Sequence, residues 1–596
     1  MSQGGAEAVE RRARVASFWR KHRARWSLPL VIILIIGLVA VIDHLGSHRI
    51  SQVDVQTPSP LVPATGGATT VDLDRPWSSF NPNTPEGAAS STPTLLVSVL
   101  PSAYVLNPKL VPQVNNDLLL SVEVTSTSPL TIQYVINPKA VWSDGVAVSA
   151  DDFFYAWQSQ RGNGLDVDGQ PDKVGSTLGY RDVASVKSGN GGKTVTVKFA
   201  TPFTDWRVMF DHMVPAHIAR RVGWNHGFDT FNPAVDLSAG PYIVQSVSPG
   251  GTAVLVRNPR WWGTPPLLDR VTVDIVPNQS AWTGTLASSN EGVAQPAQFD
   301  LKGVGVASSM PNTQSVLRPT LNLLDLEFNV KSPVMSRVAT RQAIAHAVDR
   351  SSLLARTFGA VDPDLVVNQD HLATAMQSTY TPSSASGGYT SLDLATTGQL
   401  LRSVGLHQDV AGNWVNPDGT KLTLRMVVQA DDPWIIALGG QISQQLHSAG
   451  ISVVTIPVSA LAGPATAITS TNYDMALVTR LSSPYQTATA DWYSDGPAAG
   501  GSANSQDWSN FDDPQVDQDF TLASQALNPV TGGSIYAQID DQLWDQMVGL
   551  PLFGEPAFVA NGVQIQNVVY NASTDGILWN LALWTTLKPG RPNGQT

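Results

Sequence analysis

Apolar and polar positions along the chain change period several times, and the changes mark its elements. Leu95–Leu100 (LLVSVL) and Leu130–Ile136 (LTIQYVI) are short runs rich in β-branched and aliphatic residues that predict strands. Val141–Ser149 (VWSDGVAVS) puts an Asp-Gly turn between two apolar stretches, and Ala150–Gln158 then predicts a helix with Asp151 and Asp152 in its first turn. Thr194–Phe199 (TVTVKF) alternates as a strand after the turn GNGG, and Pro241–Val247 with Ala253–Val256 predicts a strand pair around SPGG. Ser336–Val348 has helical spacing, with Val338, Ala345 and Val348 on one side. Ile435–Ala449 places Ile435, Leu438, Ile442 and Leu446 on one face, Gly450 supplies a stop, and Ile451–Ile456 follows as a buried strand. Helix, glycine and strand in that order make a βα unit, so the class is α/β, with helices packed on a sheet.

The pattern before these elements is different. Leu28–Ile42 is fifteen residues without a charge, preceded by seven basic groups (Arg11, Arg12, Arg14, Arg20, Lys21, Arg23, Arg25) and only two acidic ones (Glu7, Glu10). As a helix it spans about 22 Å, short of the roughly 30 Å hydrocarbon core unless its flanks join it. A signal peptide has an apolar region of this size, but no A-x-A-like cleavage site follows in DHLGSHRISQ. An uncleaved anchor is favoured over a cleaved signal, and the positive-inside rule puts the basic arm in the cytoplasm in both cases. The expected organisation is a basic arm over 1–26, a transmembrane signal anchor over 27–45, a flexible Pro/Ser/Thr linker over 46–92 and a folded body over 93–596. The expected location is the cell membrane, crossed once, with the body on the extracytoplasmic side.

Composition removes whole classes of function. With 596 residues one core cannot suffice, so two or more lobes are expected. The absence of cysteine excludes disulfides, thiolate metal sites, cysteine nucleophiles and a lipidated cysteine anchor. Beyond the basic arm, 29 basic groups face 46 acidic ones, which argues against nucleic acid as a partner. There is no G-x-S-x-G, H-E-x-x-H or Walker A pattern, so no enzyme is expected. Asp151/Asp152 and Asp540/Asp541 are adjacent in sequence, so their side chains diverge on a helix. GGKT at 191–194 sits at a hairpin. Asp211, His212 and His217 (DHMVPAH) offer two histidines and no third ligand at helical spacing, which favours a structural role. No cofactor and no metal are expected.

Seven stretches taken in order go further: 128–158, 238–273, 326–350 (LEFNVKSPVMSRVATRQAIAHAVDR), 441–453, 473–478 (YDMALV), 508–518 (WSNFDDPQVDQ) and 539–560 (IDDQLWDQMVGLPLFGEPAFVA). Together they resemble the extracellular solute-binding proteins of family 5, the peptide- and nickel-binding components of ABC importers. The ending VVYNASTDGILWNLALW (568–584) looks most like the actinobacterial, LpqW-type branch, whose lipoproteins are linked to phosphatidylinositol mannoside assembly.

The resemblance implies a two-lobed α/β fold of the periplasmic-binding-protein type II with an extra small domain. Lobe I would comprise about 93–121, 236–325 and 541–596, the small domain about 122–235, and lobe II about 326–540. A ligand in the cleft would favour the closed state, which a permease reads as occupancy. The implied partners are ABC permease and ATPase subunits and an oligopeptide-like ligand. The alternative is a regulatory or scaffolding protein of envelope glycolipid assembly, with a glycolipid ligand. Two departures stand out: there is no lipidated cysteine, and Ser483 occupies the place where the family's peptide binders hold an Asp for the peptide ammonium. Asp491 is the substitute in the same loop. The loop 482–508 is expected to face the cleft, with Ser483, Tyr485, Asp491, Trp492 and Tyr493 as binding candidates and Trp434 (DDPWII) as a further one. Asn258–Gly263 and Asn329 read as structural turns, and Asp349–Arg350 as a local ion pair closing a helix.

Overall fold

The computed structural model describes residues 65–587, apart from 250, 277, 297–300, 363, 384–387, 430–432, 459–471, 481–482 and 495–506. Its main element is a ten-stranded sheet. In chain order the strands are β1 (Ala68–Leu73), β2 (Tyr242–Val247), β3 (Thr252–Arg257), β4 (Arg270–Ile275), β5 (Val293–Ala294), β6 (Thr313–Phe328), β7 (Thr423–Gln429), β8 (Ser452–Val458), β9 (Met475–Arg480) and β10 (Gly549–Gly562). In space they run β8-β7-β9-β6-β10-β5-β1-β4-β3-β2.

The two long strands in the middle carry the architecture. β6 and β10 are antiparallel, but their register breaks between Pro319 and Leu323 and again at Leu324/Asp325. Before the break β6 pairs with 556–562, and after it with 549–554. A break of this kind bends a strand and sharpens its twist. Thr320 and Asn322 turn back to Glu555 at the bend: the Thr320 hydroxyl donates to the Glu555 carbonyl (2.7 Å) and the Asn322 amide to its carboxylate (3.0 Å). One hydrophobic cluster gathers residues between Val71 and Ile275 with Val559–Trp584. A second gathers Leu324–Leu477 with Trp544–Phe553. Among the described residues the two largest cores therefore lie one on each side of a bent two-strand crossing.

A separate antiparallel sheet lies in the first half of the chain, with Leu119–Thr127, Leu130–Ile136, Thr194–Phe199 and Val183–Gly189 in that order. Helix α1 (Ala150–Gln160) starts from a capping box, in which Ser149 accepts from the backbone and Asp152 accepts from the Ser149 N–H. In the second half, helix α2 (Pro433–Ser448) joins β7 to the parallel strand β8 and buries Trp434, Ile435, Leu438, Ile442 and Leu446. Gly450 ends that turn at φ +83°, where a Cβ would fall 2.2 Å from the Gly412 carbonyl oxygen.

Three expectations need correction. Leu95–Leu100 is not a strand: Thr92–Leu96 is a short helix with proline in its first turn, and a run of six mostly apolar residues fits either element. β8 is an edge strand whose side chains are mostly half-exposed, not a buried one. From Ala68 the expected linker is structured: β1 pairs in parallel with β4 and buries Val71 fully, because partners some 200 residues away supply what a four-residue alternation cannot.

The apolar segment 28–42 lies outside the described residues. The single-pass placement is itself corrected: among the described residues no helix is long and apolar enough to cross a membrane, and fifteen uncharged residues fall short of the hydrocarbon thickness.

Candidate ligand-binding cleft

β9 brings a charged residue to the end of a buried apolar strand. Arg480 is 1% exposed and lies between two carboxylates of β6, with Nε 2.5 Å from Asp325 and Nη2 2.7 Å from Glu327. The chain then turns through Gln486–Thr489 into a one-turn helix, Ala490–Tyr493. Trp492 and Tyr493 from that helix cover the guanidinium, with ring centroids 4.7 and 4.4 Å from its carbon. Burial pushes the Glu327 carboxyl up to about 8, Arg480 opposing the rise and Asp325 and Asp507 adding to it. A buried cation with acidic partners and two aromatic covers fixes the position of the segment that follows β9.

Opposite it stands the segment 204–212 of the first half. Trp206 packs edge-on against Tyr104 at 5.8 Å, and the Arg207 guanidinium lies 4.2 Å over the Trp206 ring. Phe210 and His212 both have positive φ (60° and 42°), a conformation unusual for residues with a Cβ. Hydrogen bonds compensate: the Phe210 N–H donates to the Tyr180 hydroxyl (2.7 Å) and the His212 N–H to Ser102 (2.9 Å). The turn delivers the buried His212 ring between two acids, with Nδ1 2.9 Å from Asp211 and Nε2 3.4 Å from Asp575. Burial lowers the His212 pKa, but Asp211 and Asp575 outweigh it and raise it to about 9. His212 is therefore an imidazolium at neutral pH.

Asp211 keeps 46% of its side-chain surface open. Burial is still the strongest influence on its pKa, although the His212 charge turns the net shift downward.

The two segments meet. The Asp205 carboxylate accepts from the Thr487 hydroxyl (2.8 Å) and from the Thr487 N–H (3.3 Å). Thr204 donates through its N–H to the Ser524 carbonyl (2.8 Å) and through its hydroxyl to the Ala526 carbonyl (2.9 Å). Beside this contact stands half-buried Tyr485, whose phenol pKa is raised by burial first and then by Asp211, Asp205 and Asp575. The Tyr485 hydroxyl, the carboxylates of Asp205 and Asp211 and Arg207 thus lie together, with the His212 imidazolium and Asp575 buried behind Asp211. Such a surface can hold a polar ligand carrying both signs of charge.

The structure distributes the sequence candidates unevenly. Tyr485 and Ser483 lie at the meeting of the two segments: Ser483 Oγ accepts from the Tyr485 N–H (3.2 Å), and the Ser483 carbonyl accepts from Gln377 (3.2 Å). Asp491 is half-buried on the one-turn helix. Trp492 and Tyr493 are buried behind it against Arg480. Trp434 is elsewhere, 6% exposed and edge-on to Phe358 at 5.2 Å in a hydrophobic core. Asp349 does not pair with Arg350. It caps the next helix through Ser352 N–H (2.8 Å), while Arg350 donates to the carbonyls of Asn368 and Pro551. His217 sits 2.8 Å from Asp144, apart from His212.

Nothing in the sequence singles out Asp205, Arg207, Asp211 or Asp575 for binding. The adjacent Asp211 and His212 were visible, but what gives them a role is Asp575, more than 360 residues later. An arginine closing the apolar run MALVTR was the one local signal for the Arg480 cluster.

Comparison with known proteins follows this geometry. The chain is 26% identical over 417 residues to the probable monoacyl phosphatidylinositol tetramannoside-binding protein LpqW of Mycobacterium tuberculosis, covering 63% of this chain and 62% of LpqW. The match thus spans less than two thirds of that relative. The chain is also 26% identical over 522 residues to the oligopeptide-binding protein OppA of Mycobacterium bovis, covering 85% and 83% of the two chains. Among solved structures, the periplasmic EDTA-binding protein EppA superposes with a TM-score of 0.82 at 23% identity, over 90% of this chain and all of the other. This likeness establishes the two-lobed α/β fold of periplasmic binding proteins. Relatives in Mycobacterium leprae and Mycobacterium tuberculosis, each 24% identical over 78% of this chain and 84% and 83% of theirs, are described as lipoproteins. They too speak against the single-pass membrane placement expected from 28–42. The model of bacterial extracellular solute-binding proteins, family 5 (Middle), matches residues 113–502, and the chain belongs to that family.

Proposed function

We propose that the protein is the extracytoplasmic substrate-binding component of an ABC importer, which captures oligopeptide-like solutes between two lobes and hands them to a permease. The observation that carries this reading is the meeting of Tyr485 and Thr487 with Asp205 and Asp211 of the facing segment, with Asp575 brought beside them from the end of the chain. A peptide presents amide groups, an ammonium and a carboxylate, and the meeting segments offer carboxylates, a phenol and Arg207 to match them. We take Ser483, Tyr485 and Asp491 as ligand-facing. Trp492 and Tyr493 back them through Arg480, and Trp434 is given no ligand role. We propose the lobes set out from the sequence as the moving bodies, with the bend at Thr320–Asn322 and Glu555 as the hinge; the last boundary then moves from 541 to about 555, because Trp544–Phe553 pack in the second core.

No catalytic role is assigned. With Ser483 where the family's peptide binders hold an Asp, the ammonium falls to the carboxylates of the facing segment or to Asp491, since a buried ammonium without an acid is costly. Calorimetric titration of the full chain with tri- to pentapeptides, free and N-acetylated, tests this. Tighter binding of the free amines supports the reading, and equal or absent binding of both removes it.

The relationship to LpqW favours a second reading, in which the same cleft holds a mannosylated lipid and serves envelope glycolipid assembly without transport. Deleting the cognate permease abolishes the first function and leaves the second intact.

A further inference from the structure

A cavity of about 430 Å³ opens in the second half of the chain, and none of the cleft residues named above lines it. Its walls come from three places: the helix Leu394–Ser403, the hairpin around Gly412, and the last turn of α2. In a chain of net charge −12 its lining is unusual, because it includes Arg402 and His447 and no carboxylate. Among the described residues neither side chain has an ion pair or hydrogen bond. Arg402 is held only by its face, 5.5 Å over the Trp414 ring. Asp409 on the same hairpin spends its oxygens on Ala411 and Asn413.

The end of α2 would normally repel an anion through its free carbonyls. Here the carbonyls of Gln445, Leu446 and His447 accept from the N–H groups of Ala449, Ile451 and Gly450, and just past the helix Trp414 donates its indole N–H to the Ala449 carbonyl (3.0 Å) and its amide N–H to that of Gly450 (2.9 Å). The cavity therefore presents a planar guanidinium fork and an imidazole, while the Thr397 hydroxyl and the Gln408 amide in its wall are spent on the carbonyls of Ala343, Asp393 and Gly412. A guanidinium fork matches the oxygens of a phosphate bidentately, and the volume exceeds that of the phosphate alone.

We propose that this cavity binds a phosphate ester, with Arg402 gripping the phosphate and His447 as its second donor. The site is independent of the cleft, so it does not stand or fall with peptide binding. The test is calorimetric titration of the full chain with glucose 6-phosphate, with glucose as control, and flotation with phosphatidylcholine vesicles with and without phosphatidylinositol. Saturable binding of glucose 6-phosphate, or flotation only with phosphatidylinositol, supports the site when Arg402→Gln weakens it at least about tenfold and His447→Gln weakens it too. The first result assigns a soluble phosphate ester and the second a lipid headgroup. Arg402→Lys keeps the charge and the stem while losing the fork, so weakened binding in a variant with unchanged melting temperature excludes a folding defect. No binding of either probe, or binding indifferent to Arg402→Gln and His447→Gln, overturns the proposal.

Discussion

The Asp205 carboxylate accepts both hydrogen bonds that Thr487 has to give, the hydroxyl at 2.8 Å and the N–H at 3.3 Å, and the two residues belong to opposite sides of the cleft. Hydrogen bonds to a charged acceptor contribute about 1.5–3 kcal/mol each, so this contact holds the sides together before a ligand adds anything. Asp205→Ala should open the molecule. Small-angle scattering of the ligand-free chain should give a larger radius of gyration than wild type, and the peptide dissociation constant should rise about tenfold. An unchanged radius would show that Thr204 and the hinge alone set the closure.

Tyr485 and Trp434 predict opposite behaviour. Tyr485→Ala removes a half-buried phenol beside three carboxylates, so ligand affinity should fall at least about tenfold with little loss of stability. Trp434→Ala empties a core position against Phe358 and should cost about 3–5 kcal/mol of stability, with affinity unchanged. Titration and calorimetric melting of the two variants distinguish them.

Arg480 stands between Asp325 and Glu327 with hardly any solvent contact. Arg480→Gln leaves the buried Asp325 carboxylate without its cation and Glu327 without its partner, and breaking such a cluster costs about 3–5 kcal/mol. Chemical unfolding should show that loss. Glu327→Gln should be far milder, because burial already keeps Glu327 protonated up to about pH 8.

Stability should fall as pH rises through the neutral range. The His212 pKa is raised from 6.5 to about 9 in the folded chain, so its contribution is complete below pH 6.5 and lost as pH climbs through 9. Glu327 acts in the same direction between 4.5 and about 8, since the folded state holds its proton longer. His212→Gln should therefore flatten the melting temperature against pH between 6.5 and 9, while Glu327→Gln flattens the lower part of the range.

Much of the local structure was legible. The strands Leu130–Ile136 and Thr194–Phe199 fall where alternation predicts them, the pair around SPGG forms, and α2 buries the face formed by Ile435, Leu438, Ile442 and Leu446. These elements declare themselves through period and turn chemistry. β1 did not, because a strand of six residues is specified by partners 200 residues away. The site was legible only in part for the same reason. Ser483 is proposed by counting from Tyr473 and Tyr485 from its place in the same loop, whereas Asp205, Asp211 and Asp575 come together through folding and leave no spacing to read. Trp434 illustrates the converse, since an aromatic in a polar context, DDPW, proved to be core.

The central claim is that the cleft holds a peptide-like solute through groups from both sides. Native mass spectrometry of the full-length protein taken gently from its own envelope, followed by extraction and sequencing of whatever is bound, addresses it most directly. A mixture of short peptides that is retained by wild type and lost from Tyr485→Ala is the predicted result. A mannosylated lipid in place of peptides, or an empty cleft that no peptide library stabilises against heat, would contradict it.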